Sequence, residues 1–372
     1  PAQHNALIHA VVEVNPNTVV VLANGAPVEM PWLAKVNAVL EAYLGGQGGG
    51  GGLADVLMGQ QNPSGKLAET FANKLRDIPA QKWFPGKDRQ MQYREGLYIG
   101  YRYFDTARRS VLFPFGHGLS YTKFEILDAS LSKETLRSKS SVTLKISVQN
   151  VGETDGSEVV QVYRHAIDSV VHRPDQELCG FAKIHLVSGQ VGLIEIELMS
   201  DNFEIFDHGS QGWVLESGSV ELRVGVSSRD IRLTKILKVE SSDVFSEQAL
   251  GVPAPAFLSE SAPQVFEVPD STFGKMLNAP VPMGESTLPL HRNSSVGELD
   301  ETWLGVKLKA KLIPVLLGGM GLSKADPTTR KMFTEMVENM PFRAIVLFQP
   351  DKVSFAQIDC MLAFLNGRYL KG

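Results

Sequence analysis

The sequence predicts an α/β region, then an all-β sandwich of immunoglobulin-like type, and last a small helical extension. Strand and helix patterns alternate over residues 1–121, apolar and polar residues alternate over residues 122–240, and helical spacing returns over residues 290–372. The segment 241–289 is rich in Ser, Pro and Ala, which predicts an extended linker or wrapping segment. A length of 372 residues suits two or three such domains.

The α/β region starts with a short β-branched run at residues 18–22, which ends at Asn24 and Gly25. This pattern predicts a parallel strand buried on both faces. Apolar side chains at helical spacing over residues 30–44 predict a helix, and a second, short helix is expected at residues 53–57. Because the region shows few strands, we expect its sheet to be completed by sequence outside this chain.

The sandwich is predicted from short runs in which every second residue is apolar. These runs lie at residues 142–148, 159–163, 194–198 and 220–224, and turn residues separate them.

The C-terminal extension carries two clear helix signals. Pro327 is suited to the first turn of a helix that ends before Pro341, and its apolar face comprises Met332, Phe333, Met336, Val337 and Met340. Ser354 and Gln357 form a capping-box pattern ahead of residues 355–365, and Asn366-Gly367 supplies the stop.

Composition excludes several classes of partner. The net charge is −5 with both signs interspersed, so we expect no nucleic-acid partner. Apolar runs are too short to span a bilayer, so no membrane partner is expected. Cys179 and Cys360 are far apart, which predicts neither a disulfide framework nor a zinc site and favours a reducing, cytoplasmic location. The eight histidines form no HExxH pattern, and neither a metal nor a cofactor is predicted.

Glycine occupies seven of the eight positions from Gly45 to Gly52. Such a run could expose backbone N–H groups to a phosphate. However, no Lys-Ser or Lys-Thr pair follows, and the run comes after a predicted helix rather than a strand. We therefore favour a flexible connection that passes close to other backbone.

The segment 93–105 is dense in tyrosine and charge. Tyr93, Glu95 and Arg102 are candidates to stack on and hydrogen-bond a polyhydroxylated ligand. The competing interpretation is an inter-domain seam, in which tyrosine rings are buried and arginines pair with carboxylates. His117 lies between two glycines, and we favour a structural role for it over a catalytic one.

Several segments, in order, resemble the C-terminal half of glycoside hydrolase family 3, the β-glucosidase family. They are residues 15–22 with 24–28, 45–59, 62–67, 95–96 with 100–105, and 113–121. The runs 150–152, 156–163, 173–174 and 177–181 resemble the family's fibronectin-III-like domain.

This resemblance implies retaining hydrolysis by an Asp nucleophile and a Glu acid/base. In the family the Asp lies in a Ser-Asp-Trp-type motif on an N-terminal TIM-like barrel, and the Glu lies just upstream of the matching segment. The chain contains no Ser-Asp-Trp and starts at Pro1 without an initiator Met, so we assign no catalytic residue within it. Instead we expect the C-terminal portion of a β-glucosidase-like enzyme, inactive alone, which supports a barrel in cis or in trans and acts on a β-glycoside. The alternative is a non-catalytic carbohydrate- or protein-binding scaffold from a truncated or split gene.

Overall fold

The computed structural model describes residues 2–84, 86, 90–252, 255–259, 266–284, 286–322, 324–348 and 351–367. The chain divides into two compact units, of which the first comprises Pro1–Lys82 and Tyr93–Val281, and the second Trp83–Gln92 and Pro282–Gly372. Each unit has its own hydrophobic core. Among the described residues, no helix combines the length and the apolar character that a membrane span requires.

The first unit opens with a small α/β segment. Its elements are α1 (Ala2–Val14), β1 (Val19–Leu22), β2 (Ala38–Glu41) and α2 (Gly49–Leu57). Strands β1 and β2 are parallel, with Val19 opposite Ala38. Met30, Trp32 and Phe71 form the buried centre, and the Trp32 indole N–H donates a hydrogen bond to Asn5 Oδ1 at 3.0 Å.

The helix predicted over residues 30–44 is wrong. A short 3₁₀ turn, Leu33–Lys35, is followed two residues later by β2. Val36, Val39 and Leu40 have a spacing that suits a helix, but a short apolar run also suits a strand. Pairing of β2 with the backbone of β1 decides between the two.

The predicted burial of β1 on both faces is also wrong within the described residues. Val19 and Val21 are 48% and 39% exposed, whereas Val20 and Leu22 pack against the Met30–Trp32–Phe71 core. The described sheet has two strands, and only one of its faces is covered.

The sandwich follows α3 (Tyr101–Thr106) and confirms the predicted alternation. Its strands are β3 (Phe124–Leu131), β4 (Thr135–Arg137), β5 (Ser141–Asn150), β6 (Gly156–Ile167), β7 (Glu177–Leu186), β8 (Val191–Met199), β9 (Ile205–Asp207), β10 (Gly212–Val214), β11 (Gly218–Gly225) and β12 (Ile231–Glu240). The sheets have the orders β4-β12-β11-β6-β7 and β3-β5-β8, and β9 and β10 form a separate hairpin. Every second residue of β5 faces the core, where Val142, Leu144, Ile146 and Val148 are at most 1% exposed.

The segment that follows the sandwich contains α4 (Glu247–Leu250) and α5 (Asp270–Leu277). Four of its apolar side chains are buried with Tyr98, Tyr103 and Phe104; they are Phe257, Phe266, Val268 and Phe273. The described residues up to Val281 thus belong to the first unit. Of the two structures that the composition predicts, this arrangement fits the wrapping segment rather than the extended linker. Pro253 and Ala254, which contribute to that prediction, lie outside the described residues.

The second unit contains α6 (Trp303–Gly319), α7 (Pro327–Glu338), α8 (Phe342–Phe348) and α9 (Phe355–Leu365). Pro327 lies in the first turn of α7, as predicted, and Asp326 caps that helix. The capping box of α9 is confirmed, since Ser354 N donates to Gln357 Oε1 and Gln357 N to Ser354 Oγ. The predicted apolar face of α7 is wrong in part, because Met332 and Met336 are 58% and 45% exposed while Val337 is buried.

Candidate functional site

The three predicted ligand-binding residues lie in different surroundings. Tyr93 is 60% exposed, Glu95 is 3% exposed, and the Arg102 side chain is 38% exposed. Within the described part of the chain, no side-chain hydrogen bond or ion pair joins any two of them. The structure therefore does not assemble them into a single set of contacts.

Glu95 is a buried carboxyl group. Its Oε2 atom accepts no hydrogen bond from any described residue. Burial raises the pKa of Glu95, and a hydrogen bond from its own backbone only partly opposes this. The neighbouring Tyr98 is also buried, and burial together with the charge of Glu177 raises its pKa to about 12.

Arg94 does not pair with Glu95. It donates from Nη1 to the Val268 carbonyl at 2.5 Å and from Nη2 to Asp270 Oδ1 at 2.5 Å. Its guanidinium also lies 4.9 Å from the centre of the Phe273 ring. Arg94 therefore attaches the segment after the sandwich to the aromatic segment 93–105.

Arg102 faces the sandwich, where its Nη2 lies 3.4 Å from Glu177 Oε1. Nearby, the Tyr101 hydroxyl accepts a hydrogen bond from Leu178 N at 2.8 Å. Arg229 Nε donates to Asp105 Oδ1 at 2.7 Å. These contacts make α3 and its flanks the junction between the α/β segment and the sandwich, which is the arrangement that the seam interpretation describes.

His117 packs against Phe113, with ring centres 5.1 Å apart. Burial and the positive charge of Lys66 lower its pKa, so the ring is neutral near pH 7. Among the described residues, no group of three or more His, Cys, Asp or Glu side chains could hold a metal ion.

A polar cluster at the carboxyl ends of β1 and β2 was missed by the sequence reasoning. Asn24 Nδ2 donates to Glu41 Oε2 at 3.2 Å, and Tyr43 N donates to Glu41 Oε1 at 2.9 Å. Burial, together with the charges of Glu69 and Glu41, raises the pKa of Tyr43 to about 12. Burial and the charge of Glu41 likewise raise the pKa of Glu69.

We call Asn24, Glu41, Tyr43 and Glu69 the edge cluster. Ligands of open α/β sheets bind outside the carboxyl ends of the strands. That rule could have identified Asn24 and Glu41 from the sequence, but the region containing β2 was predicted to be a helix.

The glycine run follows β2 and forms the first turns of α2, so the expectation that it follows a helix is wrong. Close approach of backbone is limited to Gly45, whose added Cβ would lie 2.9 Å from Gly49 Cα. The other glycines of the run have no atom within 4 Å of an added Cβ. The segment therefore needs its glycines for space at one position only.

Comparisons with known proteins match two parts of the chain. Residues 1–121 match the glycosyl hydrolase family 3 C-terminal domain, and residues 158–228 match a fibronectin type III-like domain. The second match lies inside the sandwich, which runs from β3 to β12.

Curated relatives are similar over about 240 residues. The chain is 50% identical over 242 residues to thermostable beta-glucosidase B of Acetivibrio thermocellus. This match covers 65% of this chain and 32% of that protein. It is 39% identical over 241 residues to an exo-alpha-(1->6)-L-arabinopyranosidase of Bifidobacterium breve, and this match covers 64% of this chain and 31% of that protein. The chain thus spans about a third of the length of these relatives.

Solved structures agree with this assignment. The Bifidobacterium adolescentis GH3 beta-glucosidase superposes with a TM-score of 0.61 at 37% identity, over 64% of this chain and 35% of that one. A beta-glucosidase from Kluyveromyces marxianus superposes with a TM-score of 0.60 at 41% identity, and the match covers 63% of this chain and 28% of that one. Residues 1–121 of this chain therefore match the C-terminal domain of glycosyl hydrolase family 3 and residues 158–228 match a fibronectin type III-like domain, and the chain is similar to the C-terminal portion of family 3 beta-glucosidases.

Proposed function

We propose that this chain works as the C-terminal part of a retaining glycosidase that hydrolyses β-linked glycosides. The observation that carries the proposal is the 50% identity over 242 residues to a beta-glucosidase. The two catalytic carboxyl groups, which retaining chemistry needs ~5–5.5 Å apart, come from a barrel domain and from the sequence that links it to the segment described here. The chain by itself is inactive.

The surface of the α/β segment supports a partner of this kind. Val19 and Val21 expose one face of β1, and α1 contains no buried residue. Leu7 and Val14 of α1 are 63% and 84% exposed. Apolar surface of this extent is suited to packing against more polypeptide, which we identify as further family 3 sequence in cis or in trans.

The edge cluster is the part of the chain that faces the sugar in this proposal. Its carboxylates and amide lie at the carboxyl ends of parallel strands, and such groups hydrogen-bond sugar hydroxyls. The chain then forms one wall of the sugar-binding pocket and positions the substrate without carrying out the bond cleavage.

A chimera tests the proposal. In this chimera, the N-terminal part of Acetivibrio thermocellus beta-glucosidase B, up to the start of the region that matches this chain, is joined to the first matched residue of this chain. We expect the chimera to hydrolyse an aryl β-glucoside, while this chain and the truncated relative each show no turnover. Mixing the two pieces tests completion in trans.

Two outcomes would contradict the proposal. Turnover by the purified 372-residue chain would show that it carries its own catalytic groups. A folded but inactive chimera would favour the non-catalytic scaffold instead. For the pocket wall, we expect Glu41→Gln in the chimera to raise KM more than it lowers kcat, whereas Glu221→Gln on the sandwich leaves both unchanged.

We also propose a cytoplasmic location. It is supported by two free cysteines, of which Cys179 is buried and Cys360 exposed.

A further inference from the structure

The sequence contains two Asn-Gly pairs, and the fold treats them differently. They are Asn24-Gly25 and Asn366-Gly367. In such a pair the backbone nitrogen of the glycine can attack the side-chain amide carbon of the asparagine, because glycine has no Cβ to hinder the approach. This reaction is one reason why asparagine is a thermolabile residue. In a folded protein its rate depends on whether the nitrogen and the amide are free to meet.

The pair Asn366-Gly367 is held by hydrogen bonds at both reacting groups. Asn366 Oδ1 accepts from Leu290 N at 2.7 Å, and its Nδ2 donates to the Leu290 carbonyl at 2.7 Å. At the C-terminus of α9, the nitrogen of Gly367 donates to the Phe364 carbonyl at 3.0 Å. We therefore expect this pair to be stable, and it serves as an internal reference.

The pair Asn24-Gly25 lies directly after β1 and is open. Gly25 is exposed, and its backbone nitrogen donates no hydrogen bond to any described residue. The Asn24 Oδ1 atom likewise accepts none there. Only Nδ2 is held, since it donates to the Ala26 carbonyl at 2.8 Å and to Glu41 Oε2 at 3.2 Å. The attacking nitrogen is thus free, and the amide is bound only through the nitrogen that leaves.

We propose that Asn24 is a site of spontaneous covalent modification, at which the Asn24-Gly25 pair deamidates. The nitrogen of Gly25 gives up its proton and bonds to Asn24 Cγ, which closes a five-membered succinimide ring. The bond between Cγ and Nδ2 breaks, and Nδ2 takes up one proton and leaves as ammonia. Water then opens the ring and yields aspartate or isoaspartate. The sequence of steps needs water and neither an oxidant nor a reductant.

The product changes the edge cluster. An aspartate at position 24 brings a second carboxylate to the place where the amide N–H meets Glu41 Oε2, and two like charges that close repel each other. The hydrogen bond to the Ala26 carbonyl is lost as well. Isoaspartate in addition lengthens the backbone by one carbon directly after β1. Either product makes the net charge of −5 more negative by one unit.

Incubation of the folded chain tests this proposal. The chain is kept below its Tm at mildly alkaline pH, and peptide mapping by mass spectrometry follows the exchange of –NH2 for –OH at both pairs. We expect Asn24 to react several-fold faster than Asn366, because the fold holds both reacting groups only in the second pair. Equal rates, or a faster reaction at Asn366, overturn the proposal.

The same measurement in urea separates the effect of the fold from that of the local sequence. Unfolding removes the hydrogen bonds of Asn366 and Gly367, so we expect the rates of the two pairs to converge. A difference that persists unchanged in the unfolded chain comes from the flanking residues and contradicts the assignment to the fold.

Gly25→Ala removes the reactive pair at little cost to the fold. Gly25 has no positive φ, and an added Cβ would meet only Leu44 Cδ1 at 3.9 Å, which is an ordinary contact. We expect the reaction at Asn24 to slow several-fold. Gly50→Ala is the matched control, since an added Cβ there has no atom within 4 Å, and it should leave the rate unchanged. A Gly25→Ala chain that reacts at the original rate overturns the proposal.

Asn24→Asp reproduces the aspartate product and tests its effect. We expect it to elute with the aged chain on anion exchange and to lower Tm, whereas the same change in a Glu41→Gln background should lower Tm less, because the opposing charge is gone. An equal loss of Tm in both backgrounds would contradict the contact with Glu41.

Discussion

Because Glu95 is buried, its ionisation destabilises the folded chain. Its folded-state pKa is raised by burial, so ionisation costs stability progressively as the pH rises from the unfolded pKa through the folded one. We therefore expect Glu95→Gln to raise Tm at pH 7, with a difference from the unmodified chain that shrinks as the pH falls toward 4. Melting curves followed by circular dichroism between pH 4 and 8 measure this difference.

An exposed carboxylate supplies the control for that experiment. Glu153 is exposed, and Glu153→Gln should leave the profile unchanged. A lower Tm for Glu95→Gln at pH 7 would mean that the ionised carboxylate makes a stabilising contact, contrary to our expectation.

Arg94 helps to fasten the segment 266–277 to the rest of the first unit. It is 3% exposed and contacts Val268, Asp270 and Phe273. We expect Arg94→Met to lower the free energy of unfolding by about 2 kcal/mol, since the buried Val268 carbonyl loses a charged donor. Limited proteolysis should then cleave between α4 and α5 faster than in the unmodified chain.

Asp270→Asn is the matched change at the other end of this ion pair. The Asp270 side chain is 78% exposed, so its charge is well hydrated and we expect a loss below about 1 kcal/mol. Equal losses from the two variants would show that the ion pair, rather than the buried carbonyl contact, fastens the segment.

At the scale of single elements, the N-terminus of α9 is stabilised by side chains close in sequence. Ser354 Oγ accepts from Gln357 N at 3.3 Å, and Gln357 Oε1 accepts from Ser354 N at 2.8 Å. We expect Ser354→Ala to destabilise the second unit by about 1 kcal/mol, because one helix N–H loses its acceptor. Chemical denaturation measures the loss, and Ser354→Asp should restore most of it. No loss in Ser354→Ala would contradict the capping contact.

Two other elements show where local patterns are sufficient and where they are not. Strand β5 follows from its sequence, since strict alternation of apolar and polar residues over 142–148 is typical of a strand and not of a helix. Strand β2 has four residues and an apolar spacing that also fits a helix. Its conformation is decided by hydrogen bonds to β1, which lies about 20 residues earlier in the chain.

At the scale of the whole molecule, ion pairs make the first unit sensitive to acid. Burial alone would raise the pKa of Glu177, but the charges of Arg164, Arg173 and Arg102 lower it. A hydrogen bond from Arg232 likewise lowers the pKa of Asp230. A lowered folded-state pKa contributes stability that is present above the unfolded pKa and is lost as the pH falls through the folded one.

We therefore expect Tm to fall steeply as the pH drops below the unfolded pKa of glutamate, about 4.3. Glu177→Gln should already be destabilised at pH 7 and should show a flatter profile. Glu195→Gln is the control, because Glu195 and its partner Lys145 are both half-exposed. A Glu177→Gln profile parallel to that of the unmodified chain would contradict the assignment.

The sequence by itself determined four of the sandwich strands, the first turn of α7 and the cap of α9, because each depends on side-chain periodicity or on neighbours a few residues apart. Its motifs, taken in order, also carried the resemblance to glycoside hydrolase family 3. Only the tertiary structure decided that Arg94 contacts Asp270 and that Asn24 and Glu41 meet at one sheet edge. These contacts join residues from 17 to 176 positions apart. Such pairings depend on the path of the chain, and periodicity along the sequence carries no information about it.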